Sequence, residues 1–212
     1  MIQLLLKASE ETLIMVLPST IFSVILGFII AVALVVTDSN GLSPNKGVYK
    51  CIDAVVNVLR GFPFVILMVA MVPITRLIVG TSLGETAAVV PLTVAASPFV
   101  ARIFESALKE VDYGVIEAAK SFGASNFQII FKVMLKEAIP SILSGITLTV
   151  INLIGYSAMA GALGAGGLGN LGIRYGFQRF QTDVMVVTVI VLIIVVQALQ
   201  SLGNYFYKKL SR

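Results

Sequence analysis

Residues 112–140, DYGVIEAAKSFGASNFQIIFKVMLKEAIP, break an otherwise oily chain with a Glu-Ala-Ala run, a glycine and an amphipathic stretch. Asp112 is placed to cap a short helix whose body is Val115 to Ser121, an acid at the positive end of the helix dipole. Within that helix Glu117 is a fixed negative charge, and Ala118 and Ala119 are small enough to let a partner's backbone come close. Gly123 suits the left-handed residue that ends a helix. Ser125, with Gln128 three residues on, has the capping-box pattern of a second helix. Phe127, Ile130, Phe131, Met134 and Leu135 then recur at the spacing of one helical face, with Lys132 and Lys136 off it. The segment 112–136 therefore predicts helix, turn, helix. On the residues alone it is either a docking element or an ordinary loop with surface helices.

The flanking sequence decides where that segment lies. Of 212 residues, 58% are hydrophobic and only 12% charged, and the mean hydropathy is +0.99. A membrane helix takes roughly 20 apolar residues, so the chain predicts a single all-α, multi-pass membrane domain over 1–212. Cutting the apolar runs at charges and Gly/Pro/Asn clusters gives five spans, at about 12–36, 54–77, 85–108, 140–163 and 183–207. The first run is too long for a signal-peptide core of ~7–15 residues and is read as a retained anchor. The net charge of +4 does not indicate nucleic acid, because the basic residues edge the apolar runs. One cysteine, Cys51, and no histidine exclude internal disulfides and Cys/His zinc sites.

Lysine and arginine set the orientation. Eleven, from Lys46 to Arg212, share a side with residues 112–136, against four, Lys7, Arg76, Arg174 and Arg179, on the other. This predicts the N-terminus outside, the C-terminus in the cytoplasm and the 112–136 segment facing the cytoplasm. Five spans without an internal repeat supply one half of a pathway, and transport sites commonly lie between related halves. A two-fold homodimer follows as the expectation.

Glu117-Ala118-Ala119, Gly123 and Val133-Met134-Leu135 resemble the signature of the membrane subunits of ATP-binding-cassette importers; Lys136 stands where the signature has proline, and the next proline is Pro140. The resemblance widens through Pro98 to Arg102, Glu105 to Asp112, Gly155 to Gly161 and Ile173 to Asp183, which look like the methionine-importer permeases. It implies the type I importer permease fold in a bacterial cytoplasmic (inner) membrane, with cytoplasmic coupling helices between the third and fourth spans. It also implies a homodimer, two cytoplasmic ATPase subunits that use ATP and Mg, and an extracytoplasmic methionine-binding lipoprotein. Glu117, Ala118, Ala119 and Gly123 occupy the positions that couple to the ATPase.

Other candidates carry two readings each. Gly164 to Gly169 matches G-x-G-x-x-G, but a dinucleotide fingerprint needs a βαβ unit, so the stretch reads as a flexible outer loop that moulds to a binding protein or merely joins two helices. Arg174 and Arg179 contact a docked binding protein, or Arg179 pairs locally with Asp183. Arg60, Arg102 and Glu105, near the cytoplasmic ends of spans, snorkel or form a gating ion pair. Tyr156, Ser157 and Met159 either pack closely or line the substrate pathway, where a thioether and a ring suit a methionine side chain.

The chain carries no G-x-x-x-x-G-K-[ST] loop, so energy from ATP requires a partner, and no cofactor is expected here. The predicted function is a permease subunit of an ATP-driven amino-acid importer, for methionine or another small solute of the family. An ion-coupled carrier would place carboxylates near mid-bilayer; none is central here. An intramembrane serine protease built on Ser157 would lack its histidine base.

Overall fold

The computed structural model describes residues 2–210, all in helices and the turns joining them. Arg212, counted above among the basic residues, lies outside these residues. The helices are α1 (Ile2–Thr37), α2 (Lys46–Gly61), α3 (Phe64–Ala70), α4 (Val72–Val79), α5 (Glu85–Lys109), α6 (Tyr113–Ser121), α7 (Asn126–Gln128), α8 (Leu135–Ala160), α9 (Gly167–Leu171) and α10 (Thr182–Leu210). Four of the helical stretches are long and apolar enough to span a membrane, or five if the bent pair α2–α3 is one span. The bundle has two ends, one built from residues 38–45 and 110–128 with α6, the other from residues 80–84 and 161–181 with α9.

α1, α5 and α8 form the centre of the bundle, held at close range by small residues. A Cβ on Gly27 of α1 would stand 2.6 Å from the Val100 side chain of α5, and one on Gly145 of α8 would overlap Ile103 of α5. Such sites let membrane helices approach closely where no hydrophobic effect draws them together. One apolar cluster, around Phe104, Leu108, Val35, Ile129 and Met134, fills the α6 end. A second, around Met15, Leu92, Leu153 and Phe64, fills the middle.

Three of the expected boundaries move. α1 starts at Ile2 and not near residue 12, because its charges are accommodated: Lys7 Nζ stands 3.9 Å from Glu11, and Glu11 Oε2 accepts a 2.7 Å bond from the Gly167 amide. The second run, expected as one helix over 54–77, is three. α2 ends at Phe62, which precedes Pro63 and is held extended (φ −78°, ψ 126°), the conformation a following proline imposes. The chain turns by 104° there, leaving α2 as an amphipathic helix with Asp53 and Asn57 on its polar side, while α3 and α4 complete the crossing.

The fourth span has no separate start at Pro140. From Asn126 the chain is helical through the whole span until Gly164, whose left-handed φ of 95° breaks it. A membrane helix tolerates one missing N–H when its neighbours surround it. A wide, π-helical turn over Ile129–Met134 shifts the face of its first turns. Ile129, absent from the expected apolar stripe, becomes fully buried, and Phe127, expected on it, is exposed.

Candidate coupling surface and pathway face

α6 forms as its sequence dictates. Asp112 Oδ1 accepts a 2.7 Å bond from the Gly114 amide, Gly123 takes the left-handed conformation at φ +77°, and Ser125 and Gln128 make both bonds of a capping box. Ile116 is the one buried residue of α6, inserted among Val35, Leu108 and Met134. Glu117 and Ala118 face solvent, Ala119 is half-buried against the core, and Phe122 is 91% exposed. The element is thus held along one side, by Ile116 and Ala119, and presents Glu117 and Ala118 outward. A cavity of about 400 Å³ lies behind it, lined among others by Asp38, Leu42, Lys109, Tyr113 and Lys120.

Arg102 and Glu105 do not snorkel. Glu105, only 4% exposed, is 2.7 Å from Arg102 and 2.8 Å from Lys109, and accepts a 3.2 Å bond from the Tyr49 hydroxyl. Arg102 also pairs with Asp53 of α2, and Lys109 is 2.7 Å from Asp38. Three carboxylates and two cations therefore fasten α2, α5 and the loop after α1 into one unit. Mutual pairing offsets the desolvation of Glu105, which alone would be costly. The Asn40 amide and then the Lys109 ammonium hold the Asp38 carboxyl below its usual range. Arg60 stays exposed, at the mouth of a polar cavity of about 460 Å³ between α5, α8 and Tyr207.

Of the residues read as pathway candidates, Met159 is exposed on α8. Tyr156 is half-buried and stacks on Phe64, ring centroids 4.8 Å apart. Ser157 is 3% exposed and donates to the Ile154 carbonyl of its own helix, so its hydroxyl faces the protomer interior. The sequence reading passed over Asn152. It is exposed at mid-helix on the same side as Met159, and a lone amide in an apolar run was the available signal.

The glycine-rich stretch is not a flexible loop. Gly167, Leu168, Gly169 and Leu171 are buried; the Leu168 amide donates to Thr12 Oγ1 at 2.9 Å, and a Cβ on Gly169 would overlap the Ala158 backbone. Arg174 is exposed. Arg179 lies 4.6 Å over the Tyr175 ring, and no ion pair joins it to Asp183 among the described residues.

Residues 23–212 match the profile of a family described as the binding-protein-dependent transport system inner membrane component. The chain belongs to that family. Within it, the chain is similar to the probable D-methionine transport system permease protein MetI of Vibrio cholerae, 50% identical over 98% of this chain and 92% of that one. It is 47% identical to the D-methionine transport system permease protein MetI of Escherichia coli K12, over 76% of this chain and 74% of that one. Among solved structures, an inward-facing conformation of the MetNI methionine ABC transporter superposes with a TM-score of 0.97 at 44% identity, covering 99% of this chain and 97% of that one. An amino acid ABC transporter shares the fold alone, with a TM-score of 0.79 at 20% identity. This inner membrane component is thus an all-helical, multi-pass permease subunit of the type I importer fold. The 112–128 hairpin and the polar face of α8 are the permease's candidate sites.

Proposed function

We propose that this permease forms half of a methionine pathway, with a second copy completing it around a two-fold axis. ATP is hydrolysed on two separate subunits that grip Glu117, Ala118 and Ala119 from the cytoplasmic side, the N-terminus being outside. The observation that carries the coupling part is the construction of α6, held on one side by the buried Ile116 with Ala119 beside it and exposed along Glu117 and Ala118. Methionine as cargo is supported by the names of the relatives that match this chain almost end to end. An extracytoplasmic binding protein delivers it, with Arg174 and Arg179 at the end where it docks.

In this mechanism, closing of the ATPases draws the two α6 hairpins together. Gly123 turns into the helix that starts at Asn126 and runs on through α8, so displacement at Ser125 is carried along a rod past Tyr156 and Met159 toward the opposite end. The ion pairs of Glu105 move α2 and α5 as one body with the base of the bundle. Alternation between inward and outward openings follows if ATP favours one arrangement by its differential contacts.

The test is uptake of labelled L-methionine into vesicles bearing permease, ATPase and binding protein. Uptake dependent on ATP and on all three components is expected. Uptake by the permease alone, or driven by an ion gradient, overturns the proposal.

A further inference from the structure

One face of α8 is uncovered, and it is unlike the faces that meet lipid. Ser141 and Ser144 are half-buried, and Leu148, Asn152, Gly155 and Met159 are exposed; these positions recur at three- and four-residue steps, so they form one stripe. The exposed face of α1 is aliphatic, Leu13, Leu17, Ile21 and Ile25, as is that of the first half of α10, Val186, Ile190 and Ile193; α10 turns polar only from Gln197 toward the end that carries Lys208 and Lys209. Asn152 falls at the centre of the 140–163 apolar run. Its side chain makes no hydrogen bond among the described residues. A carboxamide with four hydrogen-bonding positions facing hydrocarbon is expensive, so this stripe must meet water, another polar surface or a solute.

The stripe also leads somewhere. At its α6 end it opens into the 460 Å³ cavity lined by Arg60, Arg102, Ser106, Glu110, Ser141 and Ser144. A polar lining at one end, an unpaired amide at the midplane and a thioether beyond it describe a path along α8. Polar residues placed so within a span mark solute pathways.

We propose that Asn152 is a direct contact for the permeating amino acid at mid-bilayer, its amide oxygen accepting from the substrate ammonium and its amide nitrogen donating to the carboxylate. Met159, on the same face two turns on and about 10 Å away along the axis, meets the apolar side chain. The assignment rests on the reading of this chain as an amino-acid permease. It replaces Ser157 by Asn152 as the polar group of the path.

The test uses the whole complex of permease, ATPase and binding protein in vesicles, with labelled L-methionine as probe. Asn152→Leu is expected to lower uptake turnover about tenfold, the scale of one hydrogen bond to a charged group, with the mass of the purified complex unchanged. Asn152→Gln, which keeps the amide, is expected to recover at least half of that loss. Wild-type uptake in Asn152→Leu overturns the proposal. So does a loss of uptake accompanied by dissociation of the complex in both variants, since the residue then holds the two copies together. Wild-type vesicles that take up no methionine refute the functional reading separately, before any variant is compared.

Discussion

The two ends of this bundle each carry a glycine-punctuated segment, and what surrounds the glycines differs. At the α6 end Gly123 supplies a positive φ with nothing within 4 Å of a Cβ built upon it; its role is conformational, and the segment it shapes projects outward. At the α9 end a Cβ on Gly161 would lie 2.5 Å from the Asn170 amide nitrogen, and one on Gly169 would overlap the Ala158 backbone. There Gly164, Gly166 and Gly167 also take positive φ, but at Gly161 and Gly169 the role is volume, and the segment is drawn into the bundle. A turn built for a partner and a turn built for the core look alike in composition and differ in what surrounds them.

Enlarging each glycine in turn separates the two roles. Gly169→Leu forces side-chain volume into a backbone contact, and overpacking of this kind costs about 3 kcal/mol or more. A fall in the unfolding temperature of the detergent-purified protein, with reduced yield from the membrane, is expected. Gly123→Val puts a β-branched residue into a left-handed conformation, a local strain of about 1–2 kcal/mol with open space around it. Its unfolding temperature should stay near wild type while methionine uptake in the reconstituted complex falls several-fold and ATP hydrolysis persists. Equal damage to stability by both variants would erase the distinction between the two ends.

The α6 end was legible in the sequence because its signals are local. Asp112, Gly123, Ser125 and Gln128 each act within four residues of themselves, and every one of those caps forms. The α9 end was not, because what orders it lies 156 positions away, in Glu11 and Thr12 of α1. The same contrast explains the spans. α5 falls where its apolar run predicts, whereas the run over 54–77 hides a turn that only the constraint of Pro63 on Phe62 announces. Ser157 was singled out by the company of Tyr156 and Met159 in sequence; helical geometry separates them, sending the hydroxyl inward and leaving Met159 out beside Asn152.

A smaller effect probes the tether itself. Glu11 of α1 reaches across to the start of α9 with a half-buried carboxylate that accepts from the Gly167 amide, and Glu11→Gln keeps the shape but removes the charge. Loss of a charge-assisted bond is worth about 1–2 kcal/mol. The expected result is faster hydrogen exchange at Gly167 and Leu168 with no change at Gly123 or Ser125. Equal loosening at both ends would show that the two segments share one stability unit.

The smallest expected effect belongs to the α6 end and depends on pH. Asp38 is held below its usual range by the Asn40 amide and by Lys109, so its charged form is favoured more in the folded than in the unfolded chain. The stabilisation is therefore fully present above the ordinary aspartate value of about 3.9 and disappears as pH falls through the lower folded value. Asp38→Asn should be slightly less stable than wild type at neutral pH, and the two melting curves should converge as the solution is acidified below pH ~4. Because Lys109 also pairs with the buried Glu105, the ammonium keeps one partner in the variant, which limits the loss. A gap between variant and wild type that widens on acidification would mean that Asp38 is not stabilised as an anion, and that the apolar contacts of Leu42 hold the loop after α1 without it.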